Sequence, residues 1–167
     1  LSEQKTTMKT HKIETQLLVP APRAEVFKFF ADPRNLERIT PPWLHFEIIT
    51  PPDIVIEPGT LLDYRLRLRG IPLHWQSEIS VWEPPQRFVD RQTKGPYSLW
   101  VHEHTFVEDR RGTIVGDRVE YAVPGGPLVQ KFFVAPDLER IFAFRHRILE
   151  QIFGSNTGAP AQIRTGT

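Results

Sequence analysis

There is no cysteine among the 167 residues, which excludes a disulfide framework, a thiolate metal site and a cysteine nucleophile. Methionine occurs once, at Met8. No apolar run approaches the roughly 20 residues that a membrane-spanning helix requires, and the opening string LSEQKTTMKTHK lacks the apolar centre of a signal peptide. An excess of one charge is missing too. Lys and Arg number 21 and Asp and Glu 20, for a formal charge of +1, so no broad field favours nucleic acid or an anionic membrane. The Gly-x-Gly-x-x-Gly, Walker and Gly-x-Ser-x-Gly strings are also absent. These absences set the expectation of a cytoplasmic protein with no nucleic-acid partner, no stable membrane insertion and no cofactor.

Glycine, at 10, is scarcer than proline, at 16, and proline runs at roughly twice its usual share of about 5%. A composition that is 40% hydrophobic and 25% charged is otherwise that of an ordinary globular protein, and the length suits one domain with one sizeable core. The prolines mark segment boundaries. Pro20 and Pro22 close a strand-like run from His11 to Val19. Arg23–Asp32 then reads as a short helix with Val26, Phe27 and Phe30 on one face, ended by Pro33. Asn35–Ile39 reads as a second short helix, stopped by Pro41-Pro42.

Period-two alternation follows in runs from Leu44 to Ile49, from Tyr64 to Arg69 and from His74 to Val81. It continues through Arg87–Thr93, Leu99–Val107 and Thr113–Val123, with Arg110-Arg111-Gly112 as a hairpin turn. This pattern predicts a mostly antiparallel sheet with one buried face. From Pro136 to Phe153 the spacing of Leu138, Ile141, Phe142, Ile148, Leu149, Ile152 and Phe153 is helical, and Gly154 suits the stop. The expected fold is α+β: a curved antiparallel sheet wrapped around a long C-terminal helix, with two short helices after the first strand. Bending a sheet around a helix leaves a cavity between them. We expect residues 1–10 to be an N-terminal extension, 11–153 the single domain, and 154–167 a flexible tail.

Polar residues fall on faces that alternation assigns to the core. Trp100, His102, His104 and Phe106 share one face of a strand; we take it as inward because it holds both large aromatics and no carboxylate. The matching faces of the flanking strands carry Phe88, Asp90 and Gln92, and Asp117, Val119 and Tyr121. Buried polar groups must satisfy one another, hold water or meet a ligand. Arg145 lies between Leu149 and Ile152 on the apolar stripe of the last helix. Two roles stay open for it: an internal pair with Asp90 or Asp117, and a cavity cation facing a ligand.

His102 and His104, together with Glu108, spell His-x-His-x-x-x-Glu, similar to the first cupin motif, but the second motif's histidine has no counterpart after Pro124. A His-x-His metal site stays as an alternative function, with no metal ligand set assigned. Arg65, Arg67 and Arg69 alternate with Tyr64, Leu66 and Leu68 and form the solvated side of their strand.

Local strings carry a family resemblance over roughly residues 11–153. Pro41-Pro42-Trp43-Leu44-His45-Phe46, His74-Trp75-Gln76-Ser77-Glu78-Ile79 and Trp82-Glu83-Pro84-Pro85 belong to it. So do Phe88-Val89-Asp90-Arg91-Gln92, Gly95-Pro96-Tyr97, Trp100-Val101-His102-Glu103-His104, Asp117-Arg118-Val119-Glu120-Tyr121 and Ile141-Phe142-Ala143-Phe144-Arg145. With the element order, they resemble the START-like, helix-grip (SRPBCC) superfamily, in its bacterial polyketide cyclase/dehydrase and lipid-transport-like branch. The resemblance implies a cavity for hydrophobic or amphipathic small molecules and no particular reaction.

Three functions follow. The first is binding of a lipid-like, polyketide-like or aromatic molecule with an acidic or phenolic group. Its candidate residues are Tyr64, Leu66, Trp75, Ile79, Asp90, Gln92, Trp100, His102, His104, Tyr121 and Arg145. The second is a cofactor-free cyclase or dehydratase in which His102 or His104, oriented by Asp90, moves a proton. The third is a partner-binding module without ligand, for which the sequence offers no exposed apolar helix face.

Overall fold

A computed structural model of the chain describes residues 8–155 and 161–166. Strand β1 (His11–Val19) leads into helices α1 (Arg23–Ala31) and α2 (Arg34–Arg38). Strands β2 (Glu47–Ile48), β3 (Leu61–Leu68), β4 (Ile71–Glu83), β5 (Arg87–Lys94), β6 (Leu99–Asp109) and β7 (Gly112–Ala122) follow. A short helix α3 (Gly126–Val129) and one π turn (Gln130–Val134) run into the long helix α4 (Ala135–Phe153). A last strand, β8 (Gln162–Gly166), closes the order.

The strands form one antiparallel sheet in the order β2-β3-β4-β5-β6-β7-β1-β8. Strand β4 is thirteen residues long, and its pairing with β5 shifts register between Gln76 and Ser77 and again between Ile79 and Val81. Such irregularities bend a strand and increase its twist, which is how a sheet comes to curve around a helix. The hairpin from β6 to β7 turns at Gly112. Its φ of +141° and the position of a Cβ there, 2.0 Å from the Val19 carbonyl oxygen, admit only glycine. Asp32, between α1 and Pro33, is extended (φ −93°, ψ 109°), as a residue before proline must be. Gly154 ends α4 with φ +93°.

The helix-grip fold expected from the sequence is thus present. Three local expectations are corrected. The strand predicted from Leu44 begins instead with a 3-10 turn at Pro42–Leu44 and a left-handed His45 (φ 44°), leaving only Glu47–Ile48 to pair. The adjacent prolines supply no N–H and fix φ, so the chain turns before it can join the ladder. The tail predicted to be flexible contains β8, which pairs with Lys12–Gln16 of β1. Residues 1–7 of the expected extension, and 156–160 and 167 of the tail, lie outside the described residues. Finally, Leu128, Phe132 and Phe133 ahead of α4 are exposed, an apolar surface where the sequence reading saw none.

The core is divided. One apolar cluster gathers Leu17, Val26, Phe27, Phe88, Phe106, Val115 and Leu149. A second gathers Ile13, Val119, Tyr121, Leu138 and Phe142. Along each contributing element the residues between these clusters are polar and buried: Thr15 on β1, Asp117 on β7, His102 and His104 on β6, and Arg145 and His146 on α4. Among the described residues no helix is long and apolar enough to cross a membrane.

Candidate functional site

Alternation along β6 turns Trp100, His102, His104 and Phe106 inward, the last three of them buried. Register then sets the neighbours: His102 faces Asp90 on β5, and His104 faces Asp117 on β7. Asp117 is the hub of the buried layer. Its Oδ1 lies 2.8 Å from His102 Nε2, 3.0 Å from His104 Nδ1 and 3.3 Å from Arg145 Nη2. Thr15 donates its hydroxyl to Asp117 Oδ2 at 3.4 Å. The other ring nitrogen of His104, Nε2, reaches Asp90 Oδ2 at 3.1 Å, and His102 Nδ1 lies 3.8 Å from the same oxygen. Arg145 Nη2 is also 3.2 Å from His104 Nδ1, so that nitrogen lies between the guanidinium and the Asp117 carboxylate. The guanidinium lies over the Phe30 ring, 5.3 Å from its centroid.

Burial alone would raise the Asp117 carboxyl, but Arg145 and the hydrogen bonds from His102 and His104 outweigh it and hold the group well below the usual carboxylate range. At Asp90 burial is likewise overcome, chiefly by the His104 hydrogen bond, and the carboxyl is lowered. His104 is pulled down by burial yet raised on balance by its bonds to Asp117 and Asp90. His102 ends lowered, by burial and by the charge of His104. The ring nitrogens of His104 lie 3.1 and 3.0 Å from two carboxylates, and an imidazolium there, with the Arg145 guanidinium, makes the group neutral as a whole, which is what a buried polar cluster requires.

Between the sheet and α4 lies a cavity of about 210 Å³. Of the residues singled out in the sequence, Tyr64, Leu66, Trp75, Ile79, Asp90, Trp100, His102, His104 and Arg145 lie on its wall. Phe30 and Leu36 close one side, and Leu138, Ile141 and Phe142 of α4 cover it. Gln92 and Tyr121 are corrections. Gln92 has the right parity but sits near the end of β5, where its amide clamps the following loop through Tyr97 O at 2.8 Å and Tyr97 N at 3.2 Å. Tyr121, at the far end of β7, packs 5.6 Å from the His11 ring and accepts a hydrogen bond from Gln130 Nε2 at 3.3 Å. Glu108 is exposed, paired with Arg23 at 3.3 Å, and does not join the histidines. Arg145 takes the internal pair, with Asp117 at 3.3 Å, and stands at the cavity wall.

Sequence reasoning passed over Ser77, which receives Trp75 Nε1 at 3.0 Å and donates toward Asp90 Oδ1 at 3.4 Å. It also passed over His146, buried with neither ring nitrogen partnered. Spacing could have found His146, four residues after Phe142 and three before Leu149 on the same stripe.

The family described as polyketide cyclase / dehydrase and lipid transport matches residues 19–145. The chain belongs to that family. No curated protein matches the sequence, whereas solved structures match its fold. The Zhui aromatase/cyclase from Streptomyces sp. R1128 superposes with a TM-score of 0.68 at 15% identity, covering 86% of this chain and 93% of that one. A START superfamily protein from Mycobacterium smegmatis gives 0.65 at 12% identity, covering 85% and 99%. Ara h 8.0201 gives 0.66 at 17% identity, covering 89% and 100%. At these identities the likeness establishes the helix-grip fold. Membership of the polyketide cyclase/dehydrase and lipid-transport family supports a hydrophobic ligand-binding domain.

Proposed function

We propose that this polyketide cyclase/dehydrase-family domain binds an apolar, aromatic or lipid-like small molecule bearing a phenolic or acidic hydroxyl, between the sheet and α4. The observation that carries this reading is Asp90. Its carboxylate is the most accessible member of the polar cluster, 17% exposed against 1–8% for its partners, and it stands on a wall otherwise built from Tyr64, Leu66, Trp75, Trp100 and Phe142. Because the cluster is already neutral, it favours a group that donates a hydrogen bond to Asp90 over one that adds a full negative charge. A cavity that is mostly apolar with few convergent polar groups is the usual form of a small-molecule site. We place this binding activity in the cytoplasm.

The test uses 2-naphthol and 2-methoxynaphthalene, which differ in the hydroxyl proton, with Trp75 and Trp100 fluorescence as the readout. The naphthol should bind about tenfold more tightly, the worth of one satisfied buried hydrogen bond, and Asp90→Ala should erase that advantage. Equal affinities in the native protein would refute the Asp90 reading, and native mass spectrometry after gentle extraction should show a co-purifying apolar molecule.

A second reading, proton transfer within the same cavity, is favoured by the 3.1 Å contact between His104 Nε2 and Asp90 Oδ2 on the wall. It requires turnover of a polyketide-type substrate that His104→Gln abolishes. Absence of turnover across a panel of such substrates would remove it.

A further inference from the structure

We infer that Asp90, His102 and His104 form a binding site for one divalent first-row transition ion of borderline softness, such as Zn²⁺, open toward the cavity. The inference concerns the polar cluster itself and holds whether or not the cavity takes a hydroxylated ligand. One donor atom from each of the three residues lies within 4.8 Å of the other two. Asp90 Oδ2 is 3.1 Å from His104 Nε2 and 3.8 Å from His102 Nδ1. A tetrahedral ion with bonds of about 2.0–2.2 Å sets its donors about 3.3–3.6 Å apart, and the two measured pairs bracket that spacing. Two imidazoles and one carboxylate are a donor set suited to zinc or ferrous iron.

The second observation concerns the outer nitrogens. His102 Nε2 and His104 Nδ1 both contact Asp117 Oδ1, at 2.8 and 3.0 Å. A single carboxylate therefore stands behind both rings, bonded to His102 and within 3.0 Å of His104 Nδ1, with the opposite nitrogens turned toward Asp90. This is the carboxylate–histidine arrangement that fixes tautomer and ring orientation behind a metal. Asp117 is in turn held by Arg145 at 3.3 Å and Thr15 at 3.4 Å, which makes it a positioning residue rather than a ligand. With both rings in that tautomer, two lone pairs and a carboxylate converge in a buried space, and electrostatics demands a cation among them. A proton on His104 is one solution; a metal ion is the other, and the two compete. All three ligands lie on the cavity wall, as do Trp75 and Trp100, so the remaining coordination positions face the cavity. Glu108, the third ligand suggested by sequence order, plays no part because it is exposed beside Arg23.

The experiment titrates the full chain, first stripped with chelator, with Zn²⁺ alone by calorimetry at neutral pH. One ion per chain is expected. Asp90→Asn should weaken binding at least tenfold, and Asp117→Asn by about 10–100-fold, the usual effect of removing the carboxylate that orients a ligating histidine. His74→Ala should leave it unchanged; His74 and Asp63, 2.9 Å apart on the surface, are the alternative place for an adventitious ion. A readout independent of any variant's folding is the native protein loaded with Co²⁺, whose proton spectrum should show two paramagnetically shifted, exchangeable imidazole N–H signals. No saturable binding, an affinity abolished by His74→Ala, or fewer than two shifted N–H signals would each overturn the proposal. The naphthol comparison is run on metal-stripped protein, so its failure and the failure of the metal site are separable.

Discussion

Asp117 shows how much one side chain is asked to do when it is buried in company. It lies against two imidazoles and pairs with a guanidinium, and removing it leaves a buried cation and two rings without their carboxylate. Asp117→Ala should destabilise the domain by roughly 3–5 kcal/mol, the cost of breaking a buried ionic network, read as a lower midpoint in urea unfolding. His146 is the opposite case, since neither ring nitrogen has a partner. Burial lowers its proton affinity below the ordinary value of 6.5; the nearby Arg145 charge acts the same way, and the Asp117 charge opposes both. A folded value below the unfolded one means that the unfolded chain takes up the proton first. Its contribution to stability is therefore intact above pH 6.5 and is lost as pH falls from there through the folded value. His146→Leu should flatten that part of the stability-versus-pH curve relative to the native protein. It should also leave stability at pH 7.5 equal or higher, because about 1–3 kcal/mol of unpaired polar burial disappears. The comparison is urea unfolding of both proteins at pH 7.5 and 5. The polarity of His102, His104, Asp90 and Asp117 was legible in the sequence because it broke an otherwise apolar alternation. The partnerships were legible only as alternatives, since His104 contacts Asp90 although the register sets Asp90 opposite His102.

At the scale of elements, proline and glycine placed most boundaries correctly. They ended α1 at Pro33, α4 at Gly154 and the β6–β7 hairpin at Gly112. The exceptions are instructive. Leu44–Ile49 alternates like a strand, but the preceding prolines hold the chain in a turn and leave two paired residues. Gln162–Gly166 is short and polar, with Ile163 its only bulky apolar residue, so nothing local marks it as a strand. Its pairing comes from a free edge on β1, to which it adds five residue pairs. Cutting the chain after Gly154 should keep the fold while exposing that edge to water and to other chains. Hydrogen exchange should then show faster exchange in Lys12–Gln16 with β5 and β6 unchanged. Unaltered protection in β1 would argue against β8 as its cover.

Over the whole molecule the polar layer separates two apolar clusters and joins the sheet to α4 through Arg145 and Asp117. If that joint acts as a unit, Arg145→Met and Asp117→Leu together should cost less than the two single changes added. The coupling should fall in the range of about 0.5–3 kcal/mol found for contacting residues, measured as a double-mutant cycle in urea. Additive effects would mean that the two groups are stabilised separately. The sequence by itself determined the fold class and, β2 and β8 apart, the order of the main elements, because hydrophobic periodicity and proline punctuation act through local sterics and solvation. Only the tertiary structure decided which face of β6 points inward, that Gln92 clamps a loop, that Tyr121 packs away from the cavity, and that Glu108 lies exposed beside Arg23. Those outcomes depend on register, strand curvature and the seat of α4, which are set by contacts between residues far apart in the chain and leave no periodic trace within any one segment.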